Sequence, residues 1–209
     1  DATAWMAMFC LNLMRIALEL ALHNPAYQDI ATKFFEHFLA IAHAMTRIGG
    51  NGAPGASAHG VGLWDEQDEF YYDELHLHDR QMHKLRVRSM VGLIPLFAVE
   101  TLEPEMLDRL PDFKARLTWY LDHRPDLAQL VSRWQEPGRG ERRLLSLLRG
   151  HRMKSLLRRM LDETEFLSDH GVRSLSRYHQ EHPYTFWADG RPLTVAYVPG
   201  EPDSGMFGG

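Results

Sequence analysis

The sequence has a single cysteine, Cys10, so no internal disulfide can form and packing must hold the fold together. A lone thiol in an apolar run suits a reducing compartment, and a cytoplasmic location is expected. Basic charge is also short: 23 Lys and Arg stand against 28 Asp and Glu, for a net charge of −5. No basic field invites nucleic acid or an anionic membrane, and neither is expected as a partner. The apolar stretch nearest to a membrane span, residues 5–22, is broken by Asn12, Arg15 and Glu19, which argues for a core helix instead. There is no P-loop, no Gly-x-Gly-x-x-Gly and no Gly-x-Ser-x-Gly elbow. Nucleotide cofactors and serine hydrolysis therefore lack their usual markers, and no cofactor is expected. A fixed-length repeat is missing too, which weakens a solenoid. The chain starts without Met and stops in Gly205-Met206-Phe207-Gly208-Gly209, so it reads as a piece of a longer protein.

What is present centres on residues 62–73, GLWDEQDEFYYD, where four aromatic rings stand among carboxylates between two helical runs. A Trp beside an Asp suits a sugar, since the ring can stack on C–H faces while the carboxylate takes hydroxyls. The other reading makes Trp64, Phe70 and Tyr71 core plugs with solvent-facing acids, because aromatic side chains bury large areas wherever they occur.

The flanking segments are patterned as helices. Residues 4–23 are apolar on nearly every face, which predicts an inner helix surrounded by protein, ended by Asn24-Pro25 and started by a cap at Asp1. Residues 27–48 carry Ile30, Phe34, Phe38, Ile41 and Met45 at three- and four-residue steps, the signature of an amphipathic outer helix. The Gly-, Ala- and Ser-rich residues 49–60 read as a surface loop. Residues 75–87 alternate as a short strand with a turn at Asp79-Arg80. Residues 90–101 predict a third helix, buried, capped by Ser89 and containing Pro95. Residues 104–134 predict two helices broken near Arg124-Pro125, and residues 141–162 predict an arginine-rich outer helix interrupted at Gly150. Residues 184–197 alternate around Asp189-Gly190, a hairpin signal. Alternation of buried and half-buried helices fits a double ring.

Several groups of residues could carry chemistry. His76, His78 and His83 have strand spacing for metal ligands, but no Cys or carboxylate completes the set, and no metal is expected. Arg86-Val87-Arg88-Ser89 and Gly171-Val172-Arg173-Ser174-Leu175-Ser176 each place an arginine beside a serine at a segment boundary. A guanidinium there can hold a carboxylate or a hydroxyl, or simply brace a loop. Asp65, Glu66, Asp68, Asp73, Glu163, Glu165 and Asp169 are the nearby acids. Glycoside hydrolysis needs two carboxyls, and the pattern does not select a pair.

The runs Thr3-Ala4-Trp5-Met6-Ala7, Gly62-Leu63-Trp64-Asp65-Glu66, Phe70-Tyr71-Tyr72-Asp73 and residues 85–98 (LRVRSMVGLIPLFA) resemble the bacterial branch of glycoside hydrolase family 63. Residues 171–176, Pro199-Gly200-Glu201 and residues 204–209 extend the resemblance, in order, across essentially the whole chain. The resemblance implies a mainly α fold, part of an (α/α)6 toroid with short β-hairpin insertions, and makes residues 1–209 a partial catalytic domain. It implies an inverting α-glucosidase acting on oligosaccharides or on glucosylglycerate- and mannosylglycerate-type substrates, with a carbohydrate as the partner. The family's general acid precedes the first helix, and its Trp-Arg-Gly-Pro motif and base follow the glycine-rich tail. No catalytic residue is therefore expected within this sequence, and the chain alone is expected to be inactive. Trp64, Asp65, Arg88, Ser89, Arg173 and Ser174 are expected to line or brace the sugar pocket. The rival expectations are a helical protein-interaction scaffold and another enzyme, a lyase or an epimerase, on the same toroid.

Overall fold

The structure is a computed structural model that describes residues 2–47, 62–76, 82–131, 136–188 and 190–200. In chain order the elements are α1 (Ala2–Ala21), α2 (Tyr27–Arg47), β1 (Trp64–Asp65), β2 (Phe70–Tyr71), β3 (Asp73–His76) and β4 (Met82–Leu85). A 3₁₀ helix (Met90–Phe97), β5 (Val99–Leu102), α3 (Pro104–Arg109), α4 (Pro111–His123), α5 (Pro125–Ala128) and β6 (Arg143–Ser146) follow. The chain continues through α6 (Gly150–Met160), β7 (Leu167–Ser168), β8 (Gly171–Val172), a short 3₁₀ turn (Arg177–Gln180), β9 (Tyr184–Ala188) and β10 (Arg191–Val195). The expected Asp1 cap, the 49–60 loop, the Asp79-Arg80 turn, His78, Trp134, Asp189 and the tail from residue 201 lie outside the described residues.

The expected mainly α toroid is overturned. Of the described residues, 51% are helical and 20% lie in strands, all of them in small antiparallel hairpins, so the class is mixed α and β. Two segments account for much of the difference. Residues 90–101, expected as one helix, form a 3₁₀ helix and then β5. Pro95 has no N–H to give, and β-branched Val99 and Thr101 suit the strand that follows. Residues 141–162, expected as one interrupted helix, form β6 and then α6. A short apolar run such as Leu144-Leu145 has no period that separates a buried strand from a helix, and Gly150 marks the change of state. β5 and β6 pair antiparallel with Val99 opposite Ser146 and Leu102 opposite Arg143.

The chain divides into two compact units. The first comprises Ala2–Ile48 and Pro95–Gly150. Here α1 and α2 form a helical hairpin. Asn24 turns the chain, its Oδ1 accepting the Ala26 N–H at 3.2 Å, and its C=O receives the Tyr27 N–H that opens α2. Ala4, Ala7, Ala17 and Ala21 share the buried side of α1 with Leu11, Met14 and Leu18. α2 answers with Ala31, Phe35, Phe38, Leu39, Ala42 and Met45. The buried stripe of α2 is thus shifted from the predicted one: Phe38 and Met45 belong to it, whereas Ile30 is exposed.

Pro111 opens α4 without a capping side chain. Buried Gln28 supplies the cap from α2, its Oε1 accepting the N–H groups of Asp112 and Phe113, each at 3.1 Å. Phe113, Leu117 and Leu121 then face inward one turn apart. The Tyr120 ring meets Phe35 edge-on at 6.2 Å.

The expectation that α1 is surrounded also fails. Leu11 is fully buried, but Ile16 is 55% exposed, and Met6, Phe9, Leu13 and Leu20 share its outward face. By length and composition α1 could cross a membrane. Arg15 on this helix bonds the Thr101 C=O at 3.3 Å and Glu103 at 3.0 Å.

The second unit comprises Gly49–Ile94 and His151–Gly209. It holds four small hairpins, β1–β2, β3–β4, β7–β8 and β9–β10, together with α6 and an aromatic centre. The fully buried Phe70 stacks on Phe166 at 5.9 Å and 14°, and on its flank meets Tyr72 at 5.4 Å. Gly92 makes this possible, because a Cβ there would lie 2.2 Å from the Phe70 ring and 2.5 Å from the Tyr71 C=O. The predicted hairpin at residues 184–197 forms as β9–β10, with Gly190 at φ +75° in the turn.

Candidate functional site

All six predicted pocket residues lie in the second unit, and the structure gives them different jobs. Trp64 is 5% exposed, packed edge-on against Tyr71 at 5.0 Å with the Arg152 guanidinium 4.9 Å over its ring. Asp65 pairs opposite Phe70 and is buried as well. Its Oδ1 accepts the N–H groups of Gln67 (3.1 Å) and Asp68 (3.0 Å), which folds the chain back between β1 and β2. Its Oδ2 meets Arg86 at 3.0 Å and Lys84 at 3.6 Å. Burial alone would push this carboxyl up. The Asp68 N–H and the charges of Arg86 and Lys84 outweigh that and hold it below the usual carboxylate range.

From Asp65 an ionic network runs through the unit. Arg86 also reaches Asp68 Oδ2 at 3.3 Å, and the Tyr72 hydroxyl donates to the same oxygen at 2.8 Å. Burial pushes the Tyr72 phenol up, so it stays a donor. Arg88 lies at the middle: it meets Asp68 at 3.6 Å and Glu165 at 3.2 Å, and its guanidinium sits 3.8 Å over the Tyr178 ring. Glu165, with its side chain 12% exposed, also takes Arg159 on Oε1 and the Ser176 hydroxyl on Oε2 at 3.0 Å.

The two Arg-Ser segments, far apart in sequence, are joined by their backbones. Ser89 bridges Leu175, the Met90 N–H donates to the Ser174 C=O at 2.7 Å, and the Ser176 N–H donates to the Arg88 C=O at 2.8 Å. Buried Ser89 is therefore a strut between segments. It also starts the 3₁₀ helix, its C=O taking the Gly92 N–H at 3.1 Å.

Arg173 works differently. Its guanidinium gathers the carbonyls of Glu163, Glu165 and Leu167, and its Nε donates to the Tyr197 hydroxyl at 3.2 Å. Arg173 and Ser174 line an open cleft of about 720 Å³ together with Tyr197, Glu163, Asp169 and His170. The Ser174 Oγ is buried there without a hydrogen-bond partner among the described residues. Of the six predicted residues, then, Arg173 and Ser174 face a cleft, and Trp64, Asp65, Arg88 and Ser89 form the framework behind it. Another cleft, in the first unit, has leucine walls (Leu107, Leu117, Leu121), and on its rim Asp108 and Lys114 neutralise each other at 2.7 Å.

His76 and His83 do not share a face. His83 pairs with Leu75, the neighbour of His76, and alternate residues of a strand point to opposite sides. Among the described residues no group of three His, Cys, Asp or Glu side chains could hold a metal.

Sequence reasoning missed Arg159, Tyr178, His179 and Tyr197. Arg159 belongs to a run of arginines on α6 that resembles a solvated face. Its partner Glu165 lies beyond the helix end, so no helical spacing connects them.

No family model matches this chain, and no solved structure matches it. It is similar to the uncharacterized protein YMR196W of Saccharomyces cerevisiae, with 46% identity over 213 residues that cover the whole of this chain and 20% of that protein. The chain thus spans about a fifth of the length of the relative it matches.

Proposed function

We propose that this chain is the substrate-holding part of a glycoside hydrolase, with an inverting α-glucosidase acting on oligosaccharides or glycosyl-glycerates as the activity of the whole protein. One observation carries the reading. The 163–177 and 197–200 segments enclose an open cleft lined by Arg173, Ser174, Tyr197, Glu163 and Asp169, and the Ser174 hydroxyl is buried at its wall without a hydrogen-bond partner among the described residues. Sugars are recognised by such mixed donors and acceptors on a preorganised wall. The order of segments that resembles glycoside hydrolase family 63 runs through these same loops.

In this reading Arg173 and Ser174 meet the sugar. Arg88 and Ser89 hold the 174–176 backbone in place, and Trp64 and Asp65 fix the hairpin that carries Asp68 to Arg88. The general acid and base lie outside residues 1–209. Inversion needs two carboxyls on opposite faces of the sugar ring with a water between them.

The test is a titration of the chain with glucosylglycerate, mannosylglycerate and short α-gluco-oligosaccharides, followed by NMR. Shifts confined to Arg173, Ser174 and Tyr197, and lost in Ser174→Val, support the reading. No binding of any of these sugars overturns it. Hydrolysis by the 209-residue chain itself would locate the acids inside it, and Glu163→Gln is then the first change to make.

A further inference from the structure

His179 is 1% exposed, yet every polar atom of the residue is engaged. Its Nε2 accepts the backbone N–H of Arg88 at 2.8 Å, and its Nδ1–H donates to the His182 C=O at 2.9 Å. Its own C=O receives the Tyr197 N–H at 3.2 Å. These partners fix one neutral tautomer, with the proton on Nδ1 and the lone pair on Nε2. The imidazole thus ties the 86–89 segment to the 176–182 turn, and the backbone of the same residue ties that turn to the stretch that carries Tyr197. The 176–182 turn contributes Arg177, Tyr178 and His182 to one cleft and Arg177 to another, which Tyr197 also lines.

We propose that His179 is an acid-sensitive latch, whose protonation releases the Arg88 segment and loosens the walls of both clefts. A proton on Nε2 turns the acceptor that takes the Arg88 N–H into a second donor. The two N–H groups then point at each other in a buried space, and the bond cannot form. The groups facing the imidazole are the Arg88 guanidinium, the Glu165 carboxylate, the Tyr178 ring (5.4 Å, edge-on) and His182. Glu165 favours the added charge, but it is already shared by Arg88, Arg159 and Ser176. Burial pushes the imidazole down from its ordinary value. The bond to the His182 C=O opposes that, and the charge on Arg88 adds to it.

The direction of the effect follows from these terms. The closed state binds the proton less readily than the open one. The latch is fully closed above the ordinary histidine value of about 6.5, and it is lost as pH falls toward the depressed closed-state value. Between the two values the open fraction rises about tenfold for each pH unit. The latch stands on the geometry of His179 and does not depend on what the clefts bind.

Hydrogen exchange on the 209-residue chain tests this. From about pH 7.5 to about pH 5, corrected for intrinsic exchange, the amides of Arg88, Ser176 and Tyr197 should lose protection together. The amides of α1 and α2 should not follow them. In His179→Gln the side-chain carbonyl can still accept from Arg88 but cannot titrate, so this loss should disappear. Protection of Arg88 that is unchanged across the range, or an equal pH dependence in the variant, overturns the latch and assigns any opening to the carboxylates. If the variant does not fold, the imidazole ¹⁵N shifts of the unmodified chain decide. A titration of His179 that shares its midpoint with the Arg88 amide supports the proposal, and a titration that leaves that amide unmoved overturns it.

Discussion

In the helical unit the inward side chains of α1, α2 and α4 are mostly Ala, Leu, Met and Phe, with the uncharged Gln28 and Thr32 among them, and the charged groups stay near water. In the hairpin unit the aromatic centre is small, and Asp65, Asp68, Arg86, Arg88, Arg159 and Glu165 run past it as one connected network. Element length explains the difference. A helix of 20 residues presents a continuous face that apolar residues alone can seal. Strands of two to five residues cannot. Their connecting backbone needs partners of its own, and arginine, with several donors in a rigid fork, supplies them to carbonyls and carboxylates alike. The network is therefore scaffold, and it positions the loops that carry the cleft.

Phe38→Ala offers the largest expected effect and the clearest break between the units. Phe38 is fully buried in the α1–α2 interface, and truncation there costs about 3–5 kcal/mol. Urea unfolding followed by hydrogen exchange should show the loss in α1, α2 and α4. Added salt should change it little, because no charge is involved. A loss centred on β1–β4 instead would mean that the units do not have separate cores.

Glu165→Ala is the counterpart in the hairpin unit. It leaves Arg88 and Arg159 without their shared carboxylate and Ser176 without its acceptor. Removing one member of a mostly buried pair costs about 3 kcal/mol, because the remaining charge stays desolvated. The expected result is loss of exchange protection across residues 86–89 and 174–180, with the helical unit unchanged. A change below about 0.5 kcal/mol would show that water already screens the network.

Much of the helical unit was legible, and the reasons are particular. α1, α2 and the break at Arg124-Pro125 follow from apolar period and proline chemistry, both of which are local. The β9–β10 hairpin follows from alternation around Asp189-Gly190. The 90–101 and 141–162 segments were misread because their apolar runs are too short to show a period, and because β5 is made a strand by β6, more than 40 residues away. The toroid failed as an expectation for a related reason: an apolar helix does not itself say how many sides are covered, and Ile16 on α1 faces out. At the site, the Arg-Ser segments were found because each places an arginine beside a serine at a segment boundary. Their pairing through Ser89 and Leu175, and His179 between them, depends on contacts with no sequence spacing behind them.

Gly92→Ala sharpens the comparison at the aromatic centre, where space is the issue and charge is not. The added methyl would overlap the Phe70 ring and the Tyr71 backbone. The ring can tilt but the carbonyl is held in the β1–β2 hairpin, so the expected loss is about 1–3 kcal/mol. Phe70→Leu in the same chain should recover part of it by vacating the ring position. No recovery would place the clash on the backbone alone.

Arg15→Ala is expected to do least, and it is the control for the network argument. Like Arg88, Arg15 meets two carboxylates, Glu19 at 3.0 Å and Glu103 at 3.0 Å, and it also bonds the Thr101 C=O. Its side chain is 31% exposed, however, against 11% for Arg88. Water solvates both partners when the pair opens, and ions screen it while it is closed, so the expected loss is about 0.2–1 kcal/mol and shrinks further as salt is added. Measured beside Glu165→Ala in the same buffer series, it separates two explanations of the hairpin unit. If desolvation makes the Arg88 network matter, the two variants differ by several-fold and only Arg15→Ala fades with salt. Equal losses would mean that geometry alone sets the strength of these pairs, and that the helical unit leans on its surface charges as much as the hairpin unit does on its buried ones.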